Sequence, residues 1–363
     1  MIETSRLNSP LKVQPQQQLD QVKVGLVGYG YWGPKLARNF SSLPEVKLAA
    51  ICDLREECLK LIRRLYPDTE TTCSFEDLLT SDLDAIAIAT PVTTHYQLAQ
   101  AALCAGKHVL IEKPIAASCQ EAQQLIELAR RQNLVLMVGH TFEYHPAIET
   151  IKALIESGEL GKIHYINSIR GNFGIFRPYI NVIWDLATHD LSIFRYLLNQ
   201  EPLSISAYGQ NCLHPNKGLH DVASLTLDFP EDTLVTLRVS WLEAVKVRRL
   251  TVIGSRKTLL YDDTAEQKIV VYHREINGHP SSLINSEVSR TDAQVETTVY
   301  PFMWLEPLRT ETQHFIDCIF GKTQVKSNGE VGLKIVKMLE ATDRSLLNHG
   351  AKIPLDFSHS LSC

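Results

Sequence analysis

A strand-like run from Val22 to Val27 leads straight into Gly28, Gly30 and Gly33. Glycines at that spacing can hold a pyrophosphate. The first allows a tight turn, the second lets backbone approach the phosphates, and the third lets the following helix pack closely on the strand. Tyr31 and Trp32 stand within the turn and are grouped with the ligand-binding residues. A helix starting there points unpaired N–H groups and the positive end of its dipole at an anion. A second apolar run, Val46 to Cys52, ends in Asp53. That carboxylate can accept both ribose hydroxyls of a dinucleotide and would repel a 2′-phosphate, which favours NAD over NADP. Arg55, two residues on, would suit the phosphate instead.

Two further clusters could handle a proton. The turn after the fifth strand reads Ile111-Glu112-Lys113-Pro114, which places a lysine at the C-terminal edge of a parallel sheet, where open α/β folds bind ligands. Inside a closed cleft such a lysine can donate or accept a proton; a solvated loop lysine is the plainer alternative. The second cluster is Trp184-Asp185-Leu-Ala-Thr-His189, followed by a helical pattern to Leu198. On a helix Asp185 and His189 share one face, which Ser192 and Tyr196 continue. Ala187, Leu191, Phe194 and Leu198 form an apolar stripe beside it. Asp185 could orient the imidazole or bind a substrate hydroxyl, and His189 could take the hydroxyl proton. A surface ion pair would have the same spacing.

These residues need a sheet to carry them. From Val22 onward short apolar runs (Val46–Cys52, Ala85–Ala89, Val109–Ile111, Val135–Val138) alternate with helical segments such as Leu54–Leu65, His95–Ala105 and Ser118–Arg131. Almost wholly apolar strands separated by helices predict a doubly wound parallel sheet covered on both faces. After His140 the runs Ile163–Arg170, Leu203–Tyr208, Val222–Phe229, Thr233–Trp241, Arg248–Ile253 and Lys268–Tyr272 follow mostly by short connections, predicting a large open, mainly antiparallel sheet. The fold class is therefore α/β: a Rossmann domain over 22–139 and an α+β domain over 140–347. A polar extension, 1–21, precedes them and a short segment, 348–363, follows. Residues 278–301 read as an irregular loop, and Thr310–Phe320 and Val331–Leu347 as closing helices.

The bulk composition agrees. At 363 residues the chain fits two domains, and its 44% hydrophobic content, 21% charge and net charge of -5 describe a globular protein with no general affinity for nucleic acid. No apolar stretch approaches the roughly 20 residues needed to cross a bilayer, and the N-terminus lacks a basic region followed by an apolar core. The expectation is cytoplasmic, without a membrane partner. The eight cysteines form no CxxC pair, so no metal site is expected.

The glycine turn, Asp53, Glu-Lys-Pro at 112–114, and Asp185 with His189 together resemble the Gfo/Idh/MocA oxidoreductases, from Val22 to about Leu347. The resemblance implies an NAD-dependent dehydrogenase acting on a secondary alcohol of a sugar. Lys113 would bond the hydroxyl being oxidised, His189 would serve as acid/base, and Asp185 would help hold the sugar. It also implies that Thr90, Pro91 and His95, a Thr-Pro-x-x-x-His segment, wall the nicotinamide site, and that Lys113 precedes a proline often found in the cis form. The family motif often carries a glycine two residues after its Asp where this chain has Ala187, so the helix start is expected to sit differently. The segment from Arg170 to Trp184 brings Arg170, Asn172, Arg177 and Asn181 near the cleft, where arginine forks suit phosphates and carboxylates and aromatic faces suit a sugar or base. These residues would suit an anionic sugar such as a UDP-linked hexosamine or hexuronate, and the arginines could equally form interdomain or intersubunit ion pairs; inositol or free-sugar oxidation, redox-assisted glycoside cleavage and a non-catalytic NAD/sugar sensor are the alternative functions. The one-sided second sheet predicts a homodimer or homotetramer.

Overall fold

The computed structural model describes residues 21–173, 180–213, 219–273 and 295–358. Arg177, nearly all of the expected extension 1–21, and most of the expected 278–301 loop lie outside them. The first sheet has six parallel strands: β1 (Val22–Val27), β2 (Val46–Cys52), β3 (Glu70–Thr72), β4 (Ala85–Ile88), β5 (His108–Glu112) and β6 (Leu136–Gly139), in the order β3-β2-β1-β4-β5-β6. Every residue of β4 and β6 is buried, as their apolar sequences require when helices cover both faces. Those helices are α1 (Gly33–Ser41), α2 (Glu56–Leu65), α3 (Phe75–Thr80), α4 (Val92–Cys104) and α5 (Cys119–Gln132). α5 starts where its capping pattern predicts, with the Ser118 hydroxyl accepting from Glu121 N at 3.2 Å. The strand order reverses between β1 and β4, which opens a crevice at the carboxyl ends of the strands.

The second sheet has nine strands: β7 (Ile163–Phe173), β8 (Ser204–Gln210), β9 (Val222–Phe229), β10 (Thr233–Ser240), β11 (Leu242–Gly254), β12 (Thr258–Asp262), β13 (Ile269–Tyr272), β14 (Thr297–Val299) and β15 (Ile353–Pro354). Their order is β14-β13-β12-β11-β7-β10-β9-β8-β15. All neighbours are antiparallel except β7 and β10. β14 forms inside the stretch read as irregular loop, where it caps the edge at β13. β9 and β10 alternate buried and accessible positions, so one face packs on α6 (Pro146–Glu156), α7 (Thr188–Leu198) and part of α9 (Gly329–Leu347).

The chain does not stay in its second half after leaving the first. Helix α8 (Pro307–Ile319) packs Phe315 edge-on against Phe40 of α1, at a centroid distance of 6.5 Å, and joins the core of the first sheet. α9 straddles both layers, giving Val336 to the first core and Ile335 and Leu339 to the second. The expected 140–347 unit therefore lends α8 and one face of α9 to the dinucleotide-type domain. Apolar stripes on both faces of one helix look the same in sequence whichever domain they serve.

Candidate active site

The glycine turn has the geometry its spacing predicts. Gly28 has φ +91, and a Cβ there would sit 2.8 Å from the Ala89 carbonyl oxygen. A Cβ on Gly33 would lie 2.2 Å from the Gly28 carbonyl oxygen, whereas one on Gly30 would meet nothing within 4 Å. Two glycines are thus required by close backbone, and the third leaves open space where a pyrophosphate could approach. Asp53 pins the turn from β2, its Oδ2 accepting from Tyr29 N at 2.7 Å. Arg55 clasps the same carboxylate, with N and Nε donating to Oδ1 at 2.9 Å and Nη2 to Oδ2 at 3.0 Å. Burial pushes the Asp53 carboxyl up, but the Arg55 side chain and the two backbone N–H groups outweigh it and hold it below the usual range.

A cavity of about 640 Å³ runs from this turn to the second domain. Gly28, Gly30, Tyr31, Trp32, Asp53, Thr90, Pro91, Glu112, Lys113, Trp184 and Asp185 line it. The glycine turn and helix N-terminus would hold the pyrophosphate of NAD, Asp53 a ribose, and Thr90 and Pro91 the nicotinamide end. Gly33 sits behind the lining and closes the turn.

At the far end Lys113, followed by a cis peptide to Pro114, is only 10% exposed, and its Nζ donates to the Asp185 carbonyl at 2.7 Å. The Asp185 carboxylate lies 4.0 Å from Nζ through Oδ1, while Oδ2 accepts from Trp241 Nε1 at 3.1 Å. Asp185 stands in a π-helical turn, Ile183–Ala187, that runs into α7. This wide turn changes the phase between Asp185 and His189. His189 is partly accessible, yet its Nδ1 is enclosed and meets no partner among the described residues, so no bond from Asp185 orients the ring through that nitrogen. Phe142 packs edge-on against the ring at 5.1 Å. Burial, then the charges of Lys113, Arg170 and Arg248, holds the imidazole well below its ordinary pKa, which keeps it neutral and able to accept a proton. Burial also pushes Glu112 up to about 7, against the opposing charges of Lys113 and Lys35.

Four expected contacts resolve differently. His95 does not face the cavity: it is buried behind Thr90 and Pro91, with Nδ1 2.8 Å from the Pro114 carbonyl oxygen and Nε2 2.9 Å from that of Thr90, tying the two turns together. Arg170 is buried against Asp190, its Nε donating to Oδ2, and lies 4.5 Å over the Phe142 ring. Its guanidinium is occupied by an internal pair and does not line the cavity. Asn181 Oδ1 accepts from Ile183 N and Trp184 N, and its Nδ2 donates to Asp343 Oδ1 at 3.1 Å, so it positions Trp184, whose Nε1 reaches Asp343 Oδ2 at 2.7 Å. Asn172 is the penultimate residue of β7, off the cavity lining. Sequence reasoning missed Trp241, Phe142, Asp343 and the pair Lys246 and Arg248. Of these, only the two cations at strand period, beside His189 and Tyr31 in charge, left a readable signal.

Residues 22–140 match the family described as "Oxidoreductase family, NAD-binding Rossmann fold", and residues 148–260 match the "GFO/IDH/MocA C-terminal domain". The UDP-N-acetylglucosamine 3-dehydrogenase of Acidithiobacillus ferrooxidans is 29% identical over 261 residues, 70% of this chain and 77% of its own. Inositol 2-dehydrogenase of Rhizobium meliloti is 24% identical over 344 residues, 90% of this chain and 97% of its own. The solved structure of UDP-N-acetylglucosamine 3-dehydrogenase GnnA from Acidithiobacillus ferrooxidans superposes with a TM-score of 0.75 at 24% identity, covering 90% of this chain and 97% of that one.

Proposed function

Because the chain belongs to the GFO/IDH/MocA family of NAD-binding oxidoreductases, we propose that it moves a hydride between NAD and a secondary alcohol or ketone of a nucleotide-linked sugar, at the C3 position. NAD, when bound, supplies the hydride acceptor. The observation that carries this reading is that one cavity is lined by the glycine turn, Asp53, Lys113 and Asp185, so a cofactor held at one end brings its ring to Lys113 and Asp185 at the other; His189, expected to touch the substrate, is off that lining, four residues on from Asp185. Lys113, fixed by the Asp185 carbonyl, donates a hydrogen bond to the substrate oxygen and stabilises negative charge there as C–H cleavage proceeds. Neutral His189 accepts the hydroxyl proton. Trp241 holds Asp185, and Asp343 holds Trp184, so the sugar-facing side chains enter the reaction already oriented. The similarity to a UDP-N-acetylglucosamine 3-dehydrogenase supports the nucleotide-linked substrate and the C3 position.

The test is NADH appearance, read by absorbance, with purified protein, NAD and a panel of UDP-linked sugars, free hexoses and inositols. A signal confined to UDP-sugars is expected; one from inositols or free hexoses alone overturns the nucleotide-linked reading. Lys113→Ala and His189→Ala should each lower turnover on the order of 100-fold or more while leaving NADH affinity, measured by fluorescence titration, nearly intact. Unchanged turnover in both would remove the assignment.

A further inference from the structure

Beside His189 lies a seam of buried polar groups that the hydride-transfer reading does not use. His140 caps the 3-10 turn Thr141–Tyr144 and Glu143 lies within it, and residues three apart on such a turn stack on one face. Each is 1% exposed, and among the described residues neither ring nitrogen of His140 has a hydrogen-bond partner and the Glu143 carboxylate has none beyond the Ser192 hydroxyl. Opposite them runs the stripe His189, Ser192, Arg195 and Tyr196 of α7, at helical spacing. The Ser192 hydroxyl is buried with no other partner, and His189 Nδ1 is buried with none, among the described residues. The Glu143 carboxylate faces Ser192, and His140 stands within the fields of His189, Lys113 and Arg195.

The seam reaches the surface. Lys326 Nζ donates to the Glu143 carbonyl and to Glu149 Oε1, and Tyr196 donates to Glu149 Oε2 at 2.8 Å. Glu149 is exposed. Buried polar atoms of His140, Glu143 and Ser192 whose hydrogen-bonding capacity is left largely unfilled, packed beside the proton acceptor His189, are the surroundings that internal water occupies.

We propose that water held between His140, Glu143 and Ser192 makes this seam a proton path from His189 to the surface at Lys326 and Glu149. The path rests on the proposed oxidation: the C–H hydrogen leaves with its electron pair to the cofactor, the O–H proton passes to His189, and each group along the seam accepts one proton and releases one. Bulk water is the final acceptor, and reduction of a ketone runs the same path inward. The groups that set its electrostatics are Lys113, His189 and Arg195 around His140, and Arg195, Lys326, Ser192 and Glu149 around Glu143, with Glu311 of α8 nearby.

The experiment uses the full chain and Glu143→Gln, which keeps the shape and removes the titrating proton. On whichever panel sugar the wild type oxidises, the variant should lose roughly tenfold in kcat, less than a direct acid/base group would cost. Its solvent deuterium isotope effect on kcat should rise, and added imidazole buffer should restore turnover. A loss with neither isotope effect nor buffer rescue would mark a structural residue and overturn the path, as would wild-type kinetics. A crystal structure that orders internal water decides the matter separately: water bridging His140, Glu143 and Ser192 supports the seam and a dry seam sinks it. If no sugar yields NADH the proposed oxidation fails, and the water structure still judges the seam.

Discussion

Replacing Glu143 by Gln should make stability respond to pH in a calculable way. The side chain is 1% exposed, and burial pushes its carboxyl from the ordinary 4.5 up to about 7, against the opposing charges of Arg195 and Lys326. Between those pH values the native state keeps a proton that the unfolded chain has released. The stability contributed by this group is therefore fully present below the unfolded value and is lost as pH rises through the native one. At about 1.4 kcal/mol per pH unit, the loss across that window is about 3 kcal/mol. Gln cannot titrate. The variant should thus gain about 3 kcal/mol relative to wild type on going from about pH 4 to about pH 8. Neighbouring groups titrate too, among them His140, depressed to about 3 by burial, and Glu311, raised by burial, but they are common to both proteins and leave the difference largely untouched. Urea unfolding at a series of pH values, followed by tryptophan fluorescence, measures it. Parallel stability curves for the two proteins would show that the native carboxyl titrates normally and refute the burial argument.

Gly33→Ala should weaken NADH binding by at least about tenfold, because its Cβ would lie 2.2 Å from a backbone oxygen that cannot move without opening the turn; unchanged affinity in a fluorescence titration contradicts this. Asp53→Ala releases Arg55 from its clasp, and the NADP-to-NAD affinity ratio should rise by about tenfold or more, checked by paired titrations of the two reduced cofactors. Asp190→Ala leaves the buried Arg170 guanidinium and the Ser168 hydroxyl without their carboxylate. The expected loss in urea unfolding is about 3–5 kcal/mol, largely recovered when Arg170→Met accompanies Asp190→Leu; a loss below about 1 kcal/mol in the single variant would count against the pair.

Much of the first domain was legible because its information is local. A strand buried on both faces is largely apolar, so β1, β2, β4, β5 and β6 announce themselves, whereas β3 is three polar residues at the sheet edge, Glu70–Thr72, with no such signature. The glycine spacing, Asp53 and the lysine at the end of β5 were readable for the same reason: a tight turn, a ribose contact and a strand terminus each constrain residues near one another in the chain. The second sheet was less legible, because β7 pairs in parallel with β10 across a long separation, and pairing partners leave no mark in either strand alone.

The sequence by itself thus determined the alternation of elements, the dinucleotide turn and the residue types that could move a proton. Only the tertiary structure decided which polar side chains are already engaged. Arg170, Asn181 and His95 look available as sequence, and each is committed to a partner 20, 162 or 19 residues away. His140 looks ordinary and is instead enclosed beside His189 with no side-chain partner among the described residues, and Glu143 is enclosed against Ser192. The physical reason is that a polar side chain's need for a hydrogen bond is written in its chemistry, while the group that satisfies it, or fails to, is supplied by distant chain brought near only by packing.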